Sequence, residues 1–289
     1  MSDPWRLLVV ESETADEREE RRRSAGKSSG ETYAATLRQM VPGCETRLVA
    51  PSDESAPPMS ADEIARFDAV FLSGSPLHVY APSPAVAHQL DFMREVFASG
   101  TPSFGSCAGL QVAAVAAGGR ARKMPRRREA GIARRIVATE AGRGHPLLAG
   151  RGPVWDALTV HGDEVETLPE GALLLASNGA AQVQAAEIRS GAGVFWGVQY
   201  HPELAPGEIA AALRRQTDDL VADGLVDTPD EVEAQAALFD RLHRDPASRS
   251  ARWRLGVDGD VAVEARRRTE LANFIEHLVK PTRDRRGRD

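Results

Sequence analysis

The first part of the chain alternates short apolar runs with longer segments in which apolar residues recur at helical spacing. Short apolar runs are typical of buried strands, and apolar positions three or four residues apart are typical of helices that bury one face. This pattern predicts strands at 6–10, 46–50, 69–72 and 101–104, and helices at 33–40, 84–97 and 107–117. Strands that alternate with helices favour a parallel sheet covered by helices.

The second part of the chain is richer in strands and ends in helices. Strands are predicted at 132–139, 154–160, 172–176, 183–188 and 194–198, and amphipathic helical stretches at 206–224, 228–244 and 269–278. We expect an α/β fold: a flavodoxin-like, mostly parallel sheet with flanking helices, added antiparallel strands and a C-terminal helical extension. Residues 1–204 would form the main domain, and 205–289 would form a helical extension packed on it.

Residues 12–30 fit neither pattern. They are highly charged and end in Gly-Lys-Ser-Ser-Gly. Charge and small polar residues are typical of solvent-exposed connections, so we expect an exposed loop before the helix at 33–40.

Composition narrows the possible classes of protein. The chain has 289 residues, 42% hydrophobic and 27% charged, as an ordinary soluble globular protein has. A net charge of −6 argues against a dedicated nucleic-acid binder, and two cysteines exclude a disulfide-dense fold. No apolar run approaches membrane-spanning length, and the opening Met-Ser-Asp-Pro-Trp-Arg leads us to expect no signal peptide. We therefore expect a cytoplasmic protein with neither a nucleic-acid nor a membrane partner.

The segment 101–111 reads Thr-Pro-Ser-Phe-Gly-Ser-Cys-Ala-Gly-Leu-Gln, with Cys107 where the predicted strand turns into the predicted helix. A tight turn of this kind, called a nucleophile elbow, lifts one reactive side chain above the sheet. The start of the helix favours negative charge and hence a thiolate. A lone cysteine before a helix is more often a small buried apolar residue, so the interpretation needs a second signal.

The second signal lies at 196–203, Trp-Gly-Val-Gln-Tyr-His-Pro-Glu, which offers the thiolate a histidine partner. Together the two segments resemble the class I glutamine amidotransferases, with an elbow of the form Gly-x-Cys-x-Gly-x-Gln and a second block Gly-x-Gln-[Phe/Tyr]-His-Pro-Glu. The matching residues are Gly105, Cys107, Gly109 and Gln111, then Gly197, Gln199, Tyr200, His201, Pro202 and Glu203. The resemblance implies an enzyme that hydrolyses the side-chain amide of glutamine and needs no cofactor.

Within this resemblance, Cys107 would attack the amide carbon, because covalent catalysis divides one difficult step into two easier ones. His201 would hold the thiolate and then protonate the departing ammonia. Glu203 would orient His201 and stabilise its imidazolium, as the third member of a catalytic triad does.

The tetrahedral intermediate needs N–H donors for its oxyanion. One donor would be the N–H of Ala108, directly after the nucleophile. The others would come from the turn after the third strand, where Ser-Gly-Ser-Pro at 73–76 resembles the family's Ser-Gly-Gly-Pro. This assigns Gly74 and Ser75 to the oxyanion hole, although a serine in place of the second glycine resists positive φ.

Val-His-Gly-Asp-Glu-Val at 160–165 resembles the Ser-His-Gly-Asp block of GMP synthetase amidotransferase domains, which lies beside the bound glutamine. The resemblance implies that Asp163 pairs with the α-ammonium of the substrate and that Gln111 hydrogen-bonds the substrate. His161 reads as structural. The seven histidines show no metal-ligand spacing, so no metal site is expected.

Three functions stay open. The chain would hydrolyse glutamine and supply ammonia to a separate synthetase partner, since it contains no recognisable ATP-pyrophosphatase loop. Alternatively it would act alone on γ-glutamyl compounds, as a peptide hydrolase or a γ-glutamyl-nitrogen transferase with the same triad. A non-catalytic regulatory subunit is the third possibility, against which the intact Cys107, His201 and Glu203 argue.

Overall fold

The computed structural model describes residues 4–125 and 128–288. The strands of these residues are β1 (Arg6–Val10), β2 (Glu45–Val49), β3 (Ala69–Leu72), β4 (Ser103–Ser106), β5 (Arg120–Lys123), β6 (Glu129–Ala138), β7 (Val154–His161), β8 (Asp163–Thr167), β9 (Leu173–Ser177), β10 (Ala185–Ser190) and β11 (Gly193–Val198). The helices are α1 (Ala15–Ala25), α2 (Ser29–Met40), α3 (Ala61–Ile64), α4 (Pro84–Ser99), α5 (Ala108–Ala116), α6 (Glu140–Arg143), α7 (Pro206–Arg215), α8 (Thr217–Ala222), α9 (Pro229–Arg244), α10 (Arg249–Leu255), α11 (Gly259–Ala262), α12 (Glu264–Arg267), α13 (Thr269–Phe274) and α14 (Lys280–Arg285). A 3₁₀ turn lies at Pro146–Leu148 and a π-helical turn at Ile275–Val279.

The main sheet of the described residues has nine strands in the order β2-β1-β3-β4-β11-β10-β9-β6-β7. Its first five strands pair in parallel, and β11, β10, β9, β6 and β7 continue the sheet in antiparallel pairs. The expected mostly parallel α/β sheet with added antiparallel strands and C-terminal helices is confirmed. A separate pair of antiparallel strands, β5 and β8, was not recognised in the sequence pattern.

Successive side chains of β1 point to opposite faces of the sheet and lie in two different hydrophobic cores. Leu7 and Val9 lie in the core beneath α2 and α13, whereas Leu8 and Val10 lie in the core beneath α4 and α5. Successive side chains of a strand point to opposite faces, so a strand that is apolar throughout is covered by helices on both sides.

The C-terminal helices pack against the sheet in two places. The apolar faces of α7, α9, α10 and α11 form a third core with Leu158 of β7. Phe274 of α13 lies against Phe71, Phe104 and Trp196, with ring centroids 5.4 to 6.1 Å apart. The division of the chain at residue 204 stays a prediction.

The expectation of an exposed loop at 12–30 is wrong. Residues 15–25 form α1, and α2 already begins at Ser29. Thr14 and Ser28 each form a capping box, in which the side chain accepts from the third residue of the helix and a glutamate there bonds back. These caps satisfy backbone N–H groups at the helix starts, and in α1 they stabilise a helix despite its charged composition.

Two of the predicted helical stretches are divided. Residues 206–224 form α7 and α8, separated at Gln216, and the stretch 269–278 continues from α13 into the π-helical turn. Among the helices of the described ranges, none combines the length and apolar character needed to cross a membrane.

Candidate active site

Cys107 lies between β4 and α5 with φ 55 and ψ −112, a positive φ that is rare for a residue with a side chain. Its backbone N–H donates to Val198 O at 2.9 Å, which fixes the turn to the neighbouring strand. A Cβ on Gly105 would lie 2.8 Å from the backbone carbon of Gly109, and one on Gly109 would lie 2.7 Å from Leu72 O. The two glycines therefore allow the close approach of strand and helix that the elbow requires.

His201 and Glu203 reach the elbow because β11 and β4 are neighbours. Val198 is in register with Ser106, so the residues that follow these strands emerge at the same edge of the sheet. His201 N donates to Leu158 O at 2.8 Å, and its Nδ1 lies 2.7 Å from Oε1 of Glu203. The structure thus brings Cys107, His201 and Glu203 together, and each of the three is less than a tenth exposed.

The environment of His201 favours the imidazolium. Burial by itself would lower the pKa of His201, but the Glu203 carboxylate and a hydrogen bond with the Cys107 side chain outweigh it and raise the pKa to about 10. A protonated His201 gives the sulfur of Cys107 a cationic partner and carries the proton that a leaving amine needs.

Glu203 is itself held by groups that the sequence did not reveal. Ser106 Oγ donates to Glu203 Oε2 at 2.9 Å, and the hydroxyls of Ser106 and Tyr33 are 2.9 Å apart. Thr36 Oγ1 donates to the carbonyl oxygen of Glu203 at 3.3 Å. One carboxylate oxygen therefore faces His201, while the other is bonded to the strand that leads into the elbow.

Gly74 and Ser75 lie beside the triad at the end of β3. A Cβ on Gly74 would lie 2.8 Å from His201 Cε1 and 3.6 Å from Cys107 Cβ, so only glycine fits there without displacing the imidazole. Ser75 keeps a negative φ, and its hydroxyl accepts from Leu77 N at 2.9 Å. The serine therefore replaces the second glycine without backbone strain. Ala108, the first residue of α5, has one of the initial N–H groups that an α-helix leaves without an internal partner.

Gln111 and Asp163 are adjacent in the structure. Gln111 Nε2 donates to Asp163 O at 3.1 Å and to Gln199 Oε1 at 3.2 Å, so its amide N–H groups bond to the protein. The Asp163 carboxylate accepts from Tyr80 Oη at 3.1 Å and lies 2.6 Å from His78 Nδ1. Burial and this carboxylate raise the pKa of Tyr80 to about 12. Asp163 is thus a negative group placed at the edge of the site.

The neighbouring His161 is held by protein groups on both ring nitrogens. Nδ1 lies 2.8 Å from Asp163 O, and Nε2 lies 3.0 Å from Glu129 Oε2. This fully bonded, buried ring orients the turn that carries Asp163, in keeping with the structural role expected for it.

A cavity of about 360 Å³ joins these residues. Its lining includes Gly74, Ser75, Cys107, Gln111, Asp163, His201 and Glu203. The segment before α1, α1 itself and α7 add charged residues that sequence analysis did not assign to the site: Glu13, Glu17, Glu20, Arg21 and Arg215. In the described part of the chain, no group of three or more histidine, cysteine or carboxylate side chains is arranged to hold a metal ion.

Solved structures share the fold. A glutamine amidotransferase from Thermotoga maritima aligns with a TM-score of 0.63 over 96% of this chain and 99% of that chain, at 15% identity. Another from Methylobacillus flagellatus aligns with a TM-score of 0.56 over 97% and 94%, at 18% identity. At these identities the comparison establishes the architecture alone.

Sequence relatives differ in how much of the chain they match. A γ-glutamyl-L-1-hydroxyisopropylamide hydrolase from Pseudomonas sp. is 34% identical over 288 residues, 97% of this chain and 95% of the hydrolase. A GMP synthase from Mycolicibacterium paratuberculosis is 40% identical over 136 residues, 47% of this chain and 23% of the synthase. The family model for glutamine amidotransferase class-I matches residues 28–218. The chain therefore belongs to the class-I glutamine amidotransferase family, whose members are enzymes with a cysteine nucleophile.

Proposed function

We propose that this protein hydrolyses the amide bond of a γ-glutamyl compound, with Cys107 as nucleophile, His201 as acid and base, and Glu203 as the group that orients His201. The single observation that carries the proposal is the buried arrangement of the three side chains, with His201 Nδ1 2.7 Å from Glu203 Oε1 and a hydrogen bond between the side chains of His201 and Cys107. This is the connectivity that a nucleophile, its base and an orienting carboxylate need.

In the first half of the reaction, the thiolate of Cys107 forms a C–S bond to the amide carbon. The oxyanion is stabilised by the N–H of Ala108 and by the backbone at Gly74 and Ser75. The C–N bond then breaks, and His201 gives its proton to the departing nitrogen. In the second half, His201 takes a proton from water, whose oxygen attacks the thioester. The C–S bond breaks and glutamate leaves.

The γ-glutamyl group would lie on the Asp163 side of the cavity. Its α-ammonium would pair with the Asp163 carboxylate, which Tyr80 and His78 hold in place. Gln111, bonded to Asp163 O, supports the same turn and contributes to substrate binding.

A substituted amide is favoured over glutamine as the substrate. The hydrolase from Pseudomonas sp. matches this chain along nearly its whole length, and its name describes a γ-glutamyl amide with an N-substituent. The cavity also extends past the triad to α1 and α7. That space would hold the substituent of a departing amine, whereas ammonia needs none.

A glutaminase that hands ammonia to a synthetase is the second candidate. The matches to GMP synthases favour it, for example the synthase that is 40% identical to 47% of this chain. The acceptor enzyme would be a separate protein.

The test is the variant Cys107→Ala assayed with glutamine, γ-glutamyl dipeptides and γ-glutamyl alkylamides. We expect loss of all amide hydrolysis with the melting temperature retained, and loss of labelling by a thiol-reactive glutamine analogue. Cys44→Ala is the matched control, since Cys44 lies outside the cavity and should leave turnover unchanged. Hydrolysis that persists in Cys107→Ala would remove the proposal. Turnover of the wild type with glutamine alone would select the second candidate.

A further inference from the structure

The turn that follows β3 places one peptide group, between Gly74 and Ser75, beside the nucleophile. Both residues line the cavity, and a Cβ on Gly74 would lie 3.6 Å from Cys107 Cβ. In the described part of the chain, the N–H of Ser75 donates to no backbone carbonyl. This N–H can therefore serve an oxyanion formed at Cys107, provided that the peptide group is held with its N–H towards the cavity.

The hydroxyl of Ser73 controls the orientation of that peptide group. Ser73 is fully buried, and its Oγ donates to Gly74 O at 3.2 Å. The carbonyl and the N–H of a trans peptide point in opposite directions, so a carbonyl held on the side of Ser73 directs the N–H of Ser75 to the other side. Glycine at position 74 restricts backbone rotation least of all residues, so this hydrogen bond supplies the restraint.

The Ser73 hydroxyl is in turn held by two other segments. Its Oγ accepts from Ser12 N at 3.1 Å and lies 2.9 Å from Ser29 Oγ. A hydroxyl has one proton and two acceptor lone pairs. Because the proton of Ser73 is directed at Gly74 O, Ser29 must be the donor in its bond with Ser73. The segment after β1 and the first turn of α2 thus fix the Ser73 hydroxyl in one orientation.

The direction of these bonds also affects the strength of the N–H. They run continuously from the Ser29 hydroxyl to the Ser73 hydroxyl and on to the carbonyl of Gly74. Hydrogen bonds in such a chain polarise one another, and a hydrogen bond to a peptide carbonyl makes the N–H of the same peptide a stronger donor. The N–H of Ser75 is the end of this chain.

We propose that Ser73, held by Ser29, is a positioning residue for the oxyanion hole. Its hydroxyl orients and polarises the peptide group between Gly74 and Ser75, so that the N–H of Ser75 stabilises the negative oxygen formed when Cys107 attacks the amide. This inference rests on the proposed function, because the attack of Cys107 creates that oxygen. Ser73 is not among the residues that line the cavity, so it acts through the peptide group and not on the substrate.

The experiment compares two reactions of the same sulfur atom in Ser73→Ala. Hydrolysis of a γ-glutamyl amide passes through an oxyanion, whereas alkylation by iodoacetamide displaces iodide and forms none. We expect kcat to fall about 10-fold with KM little changed. Loss of a whole oxyanion donor costs about 10²- to 10³-fold, and here the N–H is retained but less well oriented. The rate at which iodoacetamide alkylates Cys107 should be unchanged, measured in a Cys44→Ala background that leaves one cysteine.

Ser52→Ala is the matched control. Ser52 is also a buried serine, and its hydroxyl donates to Ser12 O at 3.2 Å and accepts from Gln89 Nε2 at 2.7 Å. The variant removes a hydroxyl that bonds the same segment after β1 without touching Ser73 or Gly74. Its kcat should be retained.

An unchanged kcat in Ser73→Ala would overturn the inference, as would an equal fall in Ser52→Ala. Alkylation that slows as much as hydrolysis would also overturn it, because Ser73 would then act on the thiolate. In all three cases the wild type still hydrolyses its substrate and the proposed function stands. If the wild type hydrolyses neither glutamine nor a γ-glutamyl amide, the proposed function itself has failed.

A thermal melt checks that Ser73→Ala is folded. If it is not, Ser29→Ala carries the same comparison, since it removes the donor to Ser73 and keeps the Ser73 hydroxyl. We then expect kcat to fall about 3-fold, as for one neutral hydrogen bond, with the alkylation rate unchanged. An unchanged kcat in that variant would overturn the inference.

Discussion

Ser106 is the residue whose role the structure changes most. In the sequence it is a small residue before the nucleophile, without a recognisable function. In the structure its hydroxyl connects Glu203 Oε2 with the hydroxyl of Tyr33, so that a buried chain of hydrogen bonds runs from α2 to the triad. Tyr33 and Glu203 lie 73 and 97 positions away from Ser106 along the chain. No local pattern reports such a contact, because it depends on how the elements pack.

Ser106 acts as a positioning residue for Glu203, and Ser106→Ala tests this. The variant leaves Glu203 Oε2 and Tyr33 Oη without this partner, so the carboxylate is less firmly held against His201. We expect kcat to fall about 10- to 100-fold, the effect of one hydrogen bond to a charged group, while KM changes little. Steady-state kinetics with a γ-glutamyl substrate measure both constants.

The matched control is Ser103→Ala, on the same strand. Ser103 is also buried, but its hydroxyl faces Val194 O rather than the triad. Turnover should be retained in this variant. A rise in KM with kcat unchanged in Ser106→Ala would assign Ser106 to substrate binding instead of to positioning.

At the scale of elements, the elbow depends on how closely α5 lies on the sheet. Gly109 is the second residue of α5, and its Cα faces the backbone of Leu72 in β3. The family motif predicted a glycine at this position, but only the packing shows why. A side chain here would push the start of α5 away from the sheet, and with it the N–H of Ala108.

Gly109→Ala should destabilise the protein even though alanine favours helices more than glycine does. The added Cβ would lie 2.7 Å from Leu72 O and 2.9 Å from Leu72 Cβ. Overpacking of this kind costs about 1–3 kcal/mol, against about 1 kcal/mol gained in helix propensity. Chemical denaturation should show a lower free energy of unfolding, and turnover should fall as the elbow shifts.

Gly144→Ala is the corresponding control. Gly144 has a φ of −101, and no atom lies within 4 Å of the position of its added Cβ. The free energy of unfolding should change little. An unchanged stability in Gly109→Ala would show that α5 can move away from β3 at no cost.

α1 is a helix that sequence analysis took for a loop. Its residues are nearly all charged or polar, which is typical of a solvated loop, yet the Thr14 capping box starts a helix there. One face of this helix contributes Glu17, Glu20 and Arg21 to the cavity. Charged residues that line a polar cavity lack the apolar stripe by which amphipathic helices are recognised.

At the scale of the whole molecule, a buried network ties the C-terminal helices to the strand that leads into the site. Glu270 of α13 is fully buried, bonds Arg151 at 2.7 Å and accepts from Tyr200 Oη at 2.8 Å. Tyr200 directly precedes His201. The end of the chain thus supports the position of a triad residue, in addition to covering one face of the sheet.

Glu270→Gln should destabilise the whole protein. It keeps the shape of the side chain but leaves the buried Arg151 without its nearest negative partner, since Asp260 lies 3.5 Å away. Removal of one member of a buried ion pair costs about 3–5 kcal/mol. The melting temperature and the free energy of unfolding should both fall.

Glu276→Gln is the comparison for this variant, because its pair with Lys280 is exposed. An exposed pair contributes about 0–1 kcal/mol, so stability should be nearly unchanged. Equal, small effects of the two substitutions would mean that the network does not anchor the C-terminal helices.

The sequence by itself determined the α/β architecture, the strand-to-helix turn at Cys107 and the family, because apolar periodicity and short motifs are local properties. The parallel pairing of the early strands also follows from it, since alternating strands and helices favour parallel neighbours. The residues that surround the Cys107 elbow and the His-Pro-Glu block could be identified only from the tertiary structure. The Ser106–Tyr33 support of Glu203, the contribution of Arg21 and Arg215 to the cavity lining, and the Arg151–Glu270–Tyr200 network each join distant segments. Such contacts are set by burial and packing, which no single segment of the chain encodes.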